Sequence, residues 1–160
     1  MQLQQLGARH RDAVLDFETV NRDYFAATVP DRGDDFFTDY PARHTALLAL
    51  QEAGTDRFHV LTADDGTIIG RVNLTHISGG EAEIGYRIAR DFAGRGLATE
   101  AVRQACHLAR SAYGLERLHA ATTTDNHGSR TVLLRNGFTV VGETTLGGRP
   151  AHLFTRELEP

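Results

Sequence analysis

Between residues 89 and 101 the chain reads ARDFAGRGLATEA. Gly94 and Gly96 stand just ahead of a segment with helical apolar spacing. No Cβ at either position obstructs a group that approaches the backbone. The main-chain N–H groups of Gly94, Arg95, Gly96, Leu97, Ala98 and Thr99 fall at or near the first turn of that helix. Donors there lack intrahelical partners, and the helix dipole adds partial positive charge. An anion, above all a pyrophosphate, binds naturally in such a place. The Arg95 guanidinium and the Thr99 hydroxyl can add two more donors. The segment is not a phosphate loop, which needs GxxxxGK followed by Ser or Thr, and Thr99 occupies the third-glycine position of a dinucleotide fingerprint. Glycines between a strand and a helix can also serve the turn alone, so the motif by itself leaves both readings open.

The elements that must position this segment follow from apolar period and turn signals. Residues 1–6 alternate weakly, as an edge strand does. Val14, Phe17, Val20 (or Asn21) and Tyr24 are spaced as one face of a helix over 11–27. After Pro30 and Gly33, Asp34 can cap a second helix to about Ala53, with a break or kink expected at Pro41. Residues 57–63, 68–77 and 81–88 alternate and are separated by Asp65-Gly66 and Gly79-Gly80, which predicts an antiparallel meander. Residues 97–112 then carry Ala98, Ala101, Val102, Ala105, Leu108, Ala109 and Ala112 on one helical face. Strand 117–124 follows, parallel to 81–88 because a helix connects them. A short helix at 129–135 and a hairpin of 138–146 with 150–158 complete the chain. The fold class is α/β, one domain over residues 1–160.

Composition narrows the function. The chain has 160 residues, 41% of them apolar, and a net charge of -4, which suits one globular domain. All seventeen basic residues are arginine, so Schiff-base chemistry and a phosphate-loop lysine are excluded. The arginines are dispersed and form no basic stripe, so no nucleic-acid partner is expected. No apolar run is long enough to span a bilayer. A single cysteine, Cys106, and no apolar N-terminal leader point to a cytoplasmic protein. Eight histidines without an HExxH or a tight pair leave metal binding unexpected.

The glycine loop and its surroundings resemble the GNAT N-acetyltransferases, RimJ/RimL-like branch. Ala93-Gly94-Arg95-Gly96-Leu97-Ala98 is similar to that family's cofactor motif, with Ala93 where the family has Arg or Gln. Glu83-Ile84-Gly85-Tyr86, Thr99-Glu100-Ala101, and Asn126 through Ser129, Arg130 and Asn136-Gly137-Phe138 resemble further family segments in the same order. Asn21-Arg22-Asp23-Tyr24-Phe25, Val29-Pro30 and Arg32-Gly33 resemble that branch's acceptor-side helices. The resemblance implies a GNAT-like mixed, largely antiparallel sheet with a parallel splayed strand pair and helices on both faces. It implies acetyl-CoA as cosubstrate, with Ile88 bonding the pantetheine arm, residues 94–99 the pyrophosphate, Asn126 the arm from the far side and Arg130 the phosphates or adenosine. No metal is implied. The acceptor implied is an amine, either a protein N-terminus or a small molecule, with a non-catalytic CoA-binding module as the alternative; a homodimer is left open.

Acyl transfer to an amine needs a neutral amine, a stabilised oxyanion and a proton for the thiolate. Glu83 is the first candidate base; it shares a strand face with Gly85 and Arg87 and could instead pair with Arg87 in solvent. His119 is a second candidate. Leu133 stands where many family members carry a proton-donating tyrosine, so the resemblance passes that role to Ser129, which could equally cap the short helix. Asp125 suits a turn, and Cys106 a buried inert thiol. The acidic cluster Asp31, Asp34, Asp35 and Asp39 could draw a cationic amine toward the acceptor groove.

Overall fold

A computed structural model describes all 160 residues. The elements are β1 (Gln2–Gln5), α1 (Arg11–Val20), α2 (Arg22–Ala26), α3 (Asp34–Thr38), α4 (Tyr40–Ala53), β2 (Arg57–Thr62), β3 (Ile68–Ser78), β4 (Glu81–Ile88), α5 (Leu97–Ser111), β5 (Arg117–Thr123), α6 (His127–Arg135), β6 (Thr139–Leu146) and β7 (Arg149–Glu157). One seven-stranded sheet runs β1-β2-β3-β4-β5-β7-β6. The β4–β5 pair is parallel and every other pair antiparallel. No helix is long and apolar enough to cross a membrane.

Each face of the sheet buries its own core. On one face Val72, Leu74, Ile84, Leu118 and Phe154 meet α5 and α6. Helix α5 presents Ala101, Val102, Ala105, Cys106 and Ala109, small side chains that bring its backbone close to the strands. On the other face Phe58, Val60 and Ile68 meet Val14 and Phe17 of α1, Phe25 of α2, Phe36 of α3 and Tyr40 of α4. The alternation of β2 divides it between the two cores, with Phe58 and Val60 on one side and Leu61 on the other.

Two expected helices prove to be four. The helix expected over 11–27 breaks at Asn21, because Asn21 is buried and its side chain satisfies two backbone groups. Its Nδ2 donates to Phe17 O at 2.8 Å, and its Oδ1 accepts the Arg90 N–H at 2.9 Å, tying the helices to the turn after β4. Val20, the alternative apolar position, is 82% exposed. The second helix breaks at Asp39 rather than Pro41; Pro41 lies in the first turn of α4, where its missing N–H leaves no bond unmade.

The helical layer is fastened to the sheet by one carboxylate. Glu18 of α1 is 1% exposed and takes Arg71 of β3 at 3.0 Å, Arg87 of β4 at 3.1 Å and Arg32 of the α2–α3 connection at 3.0 Å. Three guanidinium groups on one carboxylate leave a buried cationic excess if the carboxylate is removed. Glu18→Ala should therefore cost about 3 kcal/mol, a fall of roughly 10 °C in melting temperature. A loss below about 1 kcal/mol in denaturant titration would reject this reading.

His59 is 1% exposed, with Nδ1 3.2 Å from Val72 O and Nε2 2.6 Å from the Tyr113 hydroxyl. Burial pulls its pKa down to about 4. The unfolded chain, with histidine near 6.5, therefore binds more protons across the interval between the two values. This contribution is complete above pH 6.5 and fades as pH falls toward 4. Thermal melts at pH 7.5 and 5 should show a decline that is smaller by roughly 2 kcal/mol in His59→Gln. Equal declines in the two proteins would reject the assignment.

Candidate active site

Parallel pairing between β4 and β5 stops early. Glu81, Ala82 and Glu83 pair with Arg117, Leu118 and His119, and no pair follows. Strand β4 stays bound to β3 as far as Ile88, and β5 to β7 as far as Thr123. The two inner edges therefore separate from Ile84 and Ala120 onward. The Ala89 N–H donates to Ile69 O at 2.8 Å, toward β3. By strand alternation the N–H and C=O of Ile88 face the opposite edge, into the gap.

The turn after β4 leads to the open end of that gap. Gly94 and Gly96 both adopt φ 74°, and a side chain at either would project into open space. A β-carbon is disfavoured at such φ, which explains glycine at both positions. The first helical bond of α5 runs from Glu100 N–H to Gly96 O. The N–H groups of Gly94, Arg95, Gly96, Leu97, Ala98 and Thr99 donate to nothing within the protein. Six consecutive free donors thus line one bend.

Two adjoining cavities occupy the cleft. One, about 700 Å³, runs past Ile88, Gly94 and Gly96 to Thr99, and its basic side chains are Arg87, His127 and Arg135. The other, about 610 Å³, lies between Ile84–Tyr86 of β4 and Ala120–Thr123 of β5 and reaches Leu146, Gly147 and Arg149. The segment Ala27–Val29 and the residues Tyr86, Asn126 and Ser129 border both. At that junction the Tyr86 hydroxyl lies 2.9 Å from Ser129 Oγ and donates to Ser129 O at 3.1 Å. Burial pushes the Tyr86 phenol up to about 12, opposed by its hydrogen bond to Ser129. The pair keeps its protons at neutral pH and can donate one.

Asn126, not Ser129, caps α6: its Oδ1 accepts the Ser129 N–H at 3.2 Å from just outside the helix. Ser129, inside the first turn, is thereby free to turn its hydroxyl to Tyr86. Glu83 borders neither cavity; its side chain is 62% exposed and accepts from His76 Nδ1 at 3.1 Å. The alternative Glu83–Arg87 pair is not formed, because Arg87 is held by Glu18. His119 Nε2 is 2.6 Å from Glu81, outside the cavities. The Arg95 guanidinium stacks over Phe92, 5.1 Å from the ring centroid, and Phe92 lines the larger cavity. Arg130 turns to His152 at 3.2 Å, and Arg135, five residues further along α6, borders the cavity instead. Asp31 and Asp34 share the single guanidinium of Arg22 and lie outside the second cavity. Cys106 is buried in the core, where burial raises its thiol pKa.

Sequence reasoning had no signal for Arg135 or Arg149, which are exposed arginines among many. Tyr86 carried one: a tyrosine in a buried strand needs a partner for its hydroxyl.

The family described as "Acetyltransferase (GNAT) domain" matches residues 3–139. A probable N-acetyltransferase, YjcK of Bacillus subtilis (strain 168), is 32% identical over 130 residues, 78% of this chain and 72% of that protein. The ribosomal-protein-S5-alanine acetyltransferase of Vibrio fischeri superposes with a TM-score of 0.91 at 22% identity, over 99% of this chain and 95% of that one. RimJ of Mycobacterium smegmatis, in complex with CoA-disulfide, superposes with a TM-score of 0.86 at 24% identity, over 97% and 80% of the two chains. With its splayed parallel pair and donor-lined bend, this chain belongs to the GNAT acetyltransferase family.

Proposed function

We propose that the chain transfers an acetyl group from acetyl-CoA to a primary amine, and that the amine is the N-terminus of a peptide or protein. The observation that carries this reading is the continuity of the cleft. It runs from six free N–H donors, past an unpaired strand edge, to a buried pair of hydroxyls, and on into a second cavity.

The residues present fit the cosubstrate. Gly94, Arg95, Gly96, Leu97, Ala98 and Thr99 hold the pyrophosphate through main-chain donors. Arg135 adds a cationic group and His127 an imidazole on the facing wall. Arg130, which turns to His152, contributes long-range charge, and Arg95, stacked on the cavity residue Phe92, adds positive charge beside the bend. Ile88 presents main-chain groups to the pantetheine amides, and Asn126, whose Nδ2 has no protein partner, faces them across the gap. When bound, the thioester supplies the activated acetyl group.

Ser129 supplies the proton for the departing thiolate, with Tyr86 orienting its hydroxyl. Glu83 acts as base through water. It shares a strand face with Gly85, a wall residue of the second cavity whose absent side chain leaves that face open. The names of the Vibrio fischeri and Mycobacterium smegmatis proteins support a protein α-amine and CoA, respectively. An extended peptide end also suits a cavity walled by two strand edges.

Thiol release from acetyl-CoA with free and N-acetylated peptides tests the reading. Turnover is expected only with free amines. Tight CoA binding with no turnover of any peptide or small amine would instead indicate a non-catalytic CoA-binding module. Gly96→Val forces a β-branched residue into left-handed backbone and sets methyl groups before the donors. Calorimetry should show CoA binding weakened more than tenfold, with the fold retained by circular dichroism. Unchanged affinity would refute the bend as the phosphate site. Ser129→Ala should lower kcat by about a hundredfold and leave the CoA dissociation constant within about twofold. Glu83→Gln should lower kcat about a hundredfold at an unchanged CoA dissociation constant. A loss of thermal stability alone, at unchanged kcat, would make Ser129 structural.

A further inference from the structure

We propose that Arg149 selects the acceptor, by pairing with an acidic side chain near the N-terminus of the peptide that is acetylated. This rests on the acetyl-transfer reading and goes beyond it, to the kind of N-terminus accepted. The acceptor-side cavity is walled by aliphatic groups and by the hydroxyls or amides of Thr28, Thr122, Thr123 and Asn126. Arg149 is the one charged residue on its walls, and no carboxylate borders it. A second ammonium on the acceptor would therefore enter without a counter-ion, whereas a carboxylate would find a guanidinium.

The arginine is placed for that task. It opens β7 immediately after the Gly147-Gly148 turn, and a side chain at Gly147 would come within 3.6 Å of Pro30. The hairpin tip and the Ala27–Pro30 segment thus approach each other at the rim of the cavity. Asp125, just ahead of the cap of α6, holds one guanidinium nitrogen, Nη2. Hydrogen bonding to Thr123, reinforced by Arg149, keeps the Asp125 carboxyl ionised below the ordinary aspartate range. Arg149 Nε and Nη1 have no partner in the protein. Arginine carries five N–H donors in a rigid fork, so Asp125 can orient the group while its remaining donors receive a second carboxylate. The side chain is 48% exposed, which leaves it accessible to an incoming peptide.

The test uses the full chain and peptides of one sequence, with a free N-terminal Ser or Ala and Glu, Gln or Lys at the second and third positions, alongside spermidine. The Glu peptides should be acetylated with kcat/KM roughly tenfold above the Lys peptides, through KM, and the advantage should shrink with added salt. Arg149→Glu should reverse that order while the KM for acetyl-CoA stays unchanged; Arg149→Gln, a milder change at the same exposed position, should abolish the preference. Equal turnover of all peptides, or a preference for Lys peptides or spermidine, overturns the proposal and leaves acetyl transfer standing. CoA binding with no acceptor turned over defeats both readings together.

Discussion

Three residues of parallel pairing, Glu81 to Glu83 against Arg117 to His119, determine where this protein can bind a ligand. A sheet interior normally has no free edge. Here β4 follows β3 and β5 follows β7, and beyond Glu83 those commitments diverge. Two strand edges with unspent hydrogen-bonding groups then face each other inside the molecule. An extended chain of amides is the natural complement to such edges. The crossover helix begins at the open end of the gap, so its unsatisfied N–H groups lie in line with the unsatisfied strand edges.

The second requirement is electrostatic. Glu18 gathers arginines from β3, β4 and the α2–α3 connection. Arg32 lies two residues beyond Pro30, at the end of the segment that borders both cavities. The same carboxylate also occupies Arg87 beside the cleft. Planar guanidinium groups can share one carboxylate at close range, which suits a chain whose basic residues are all arginine. The walls of the cleft and the helical layer behind them are therefore held by one buried charge.

Much of this was legible in the residues. Alternation and the Asp-Gly and Gly-Gly turns located the strands, and small residues at helical spacing located α5. The donor-rich bend was legible because its chemistry belongs to the backbone, and Gly94 and Gly96 mark that backbone directly. The helix breaks were less so. Asn21 interrupts a helical pattern only because the Arg90 N–H, far along the chain, needs an acceptor. Ser129 could be read as a cap from its position, and only the fold gives the cap to Asn126 and turns the Ser129 hydroxyl to Tyr86. Arg130 and Arg135 are indistinguishable by type, and the turn of α6 alone directs one to His152 and the other to the cleft.

The sequence by itself determined the order of the strands and the position of the donor-rich bend, because each depends on local period or turn chemistry, and its resemblance to a family gave the reaction class to expect. The tertiary structure decided the rest: the point where β4 leaves β5, the Tyr86–Ser129 contact across 43 positions, the convergence of three arginines on Glu18, and the place of Arg149 on the wall of the second cavity. Those features join groups far apart along the chain. Their partners are selected by packing and desolvation in the folded core, which no short stretch of residues encodes.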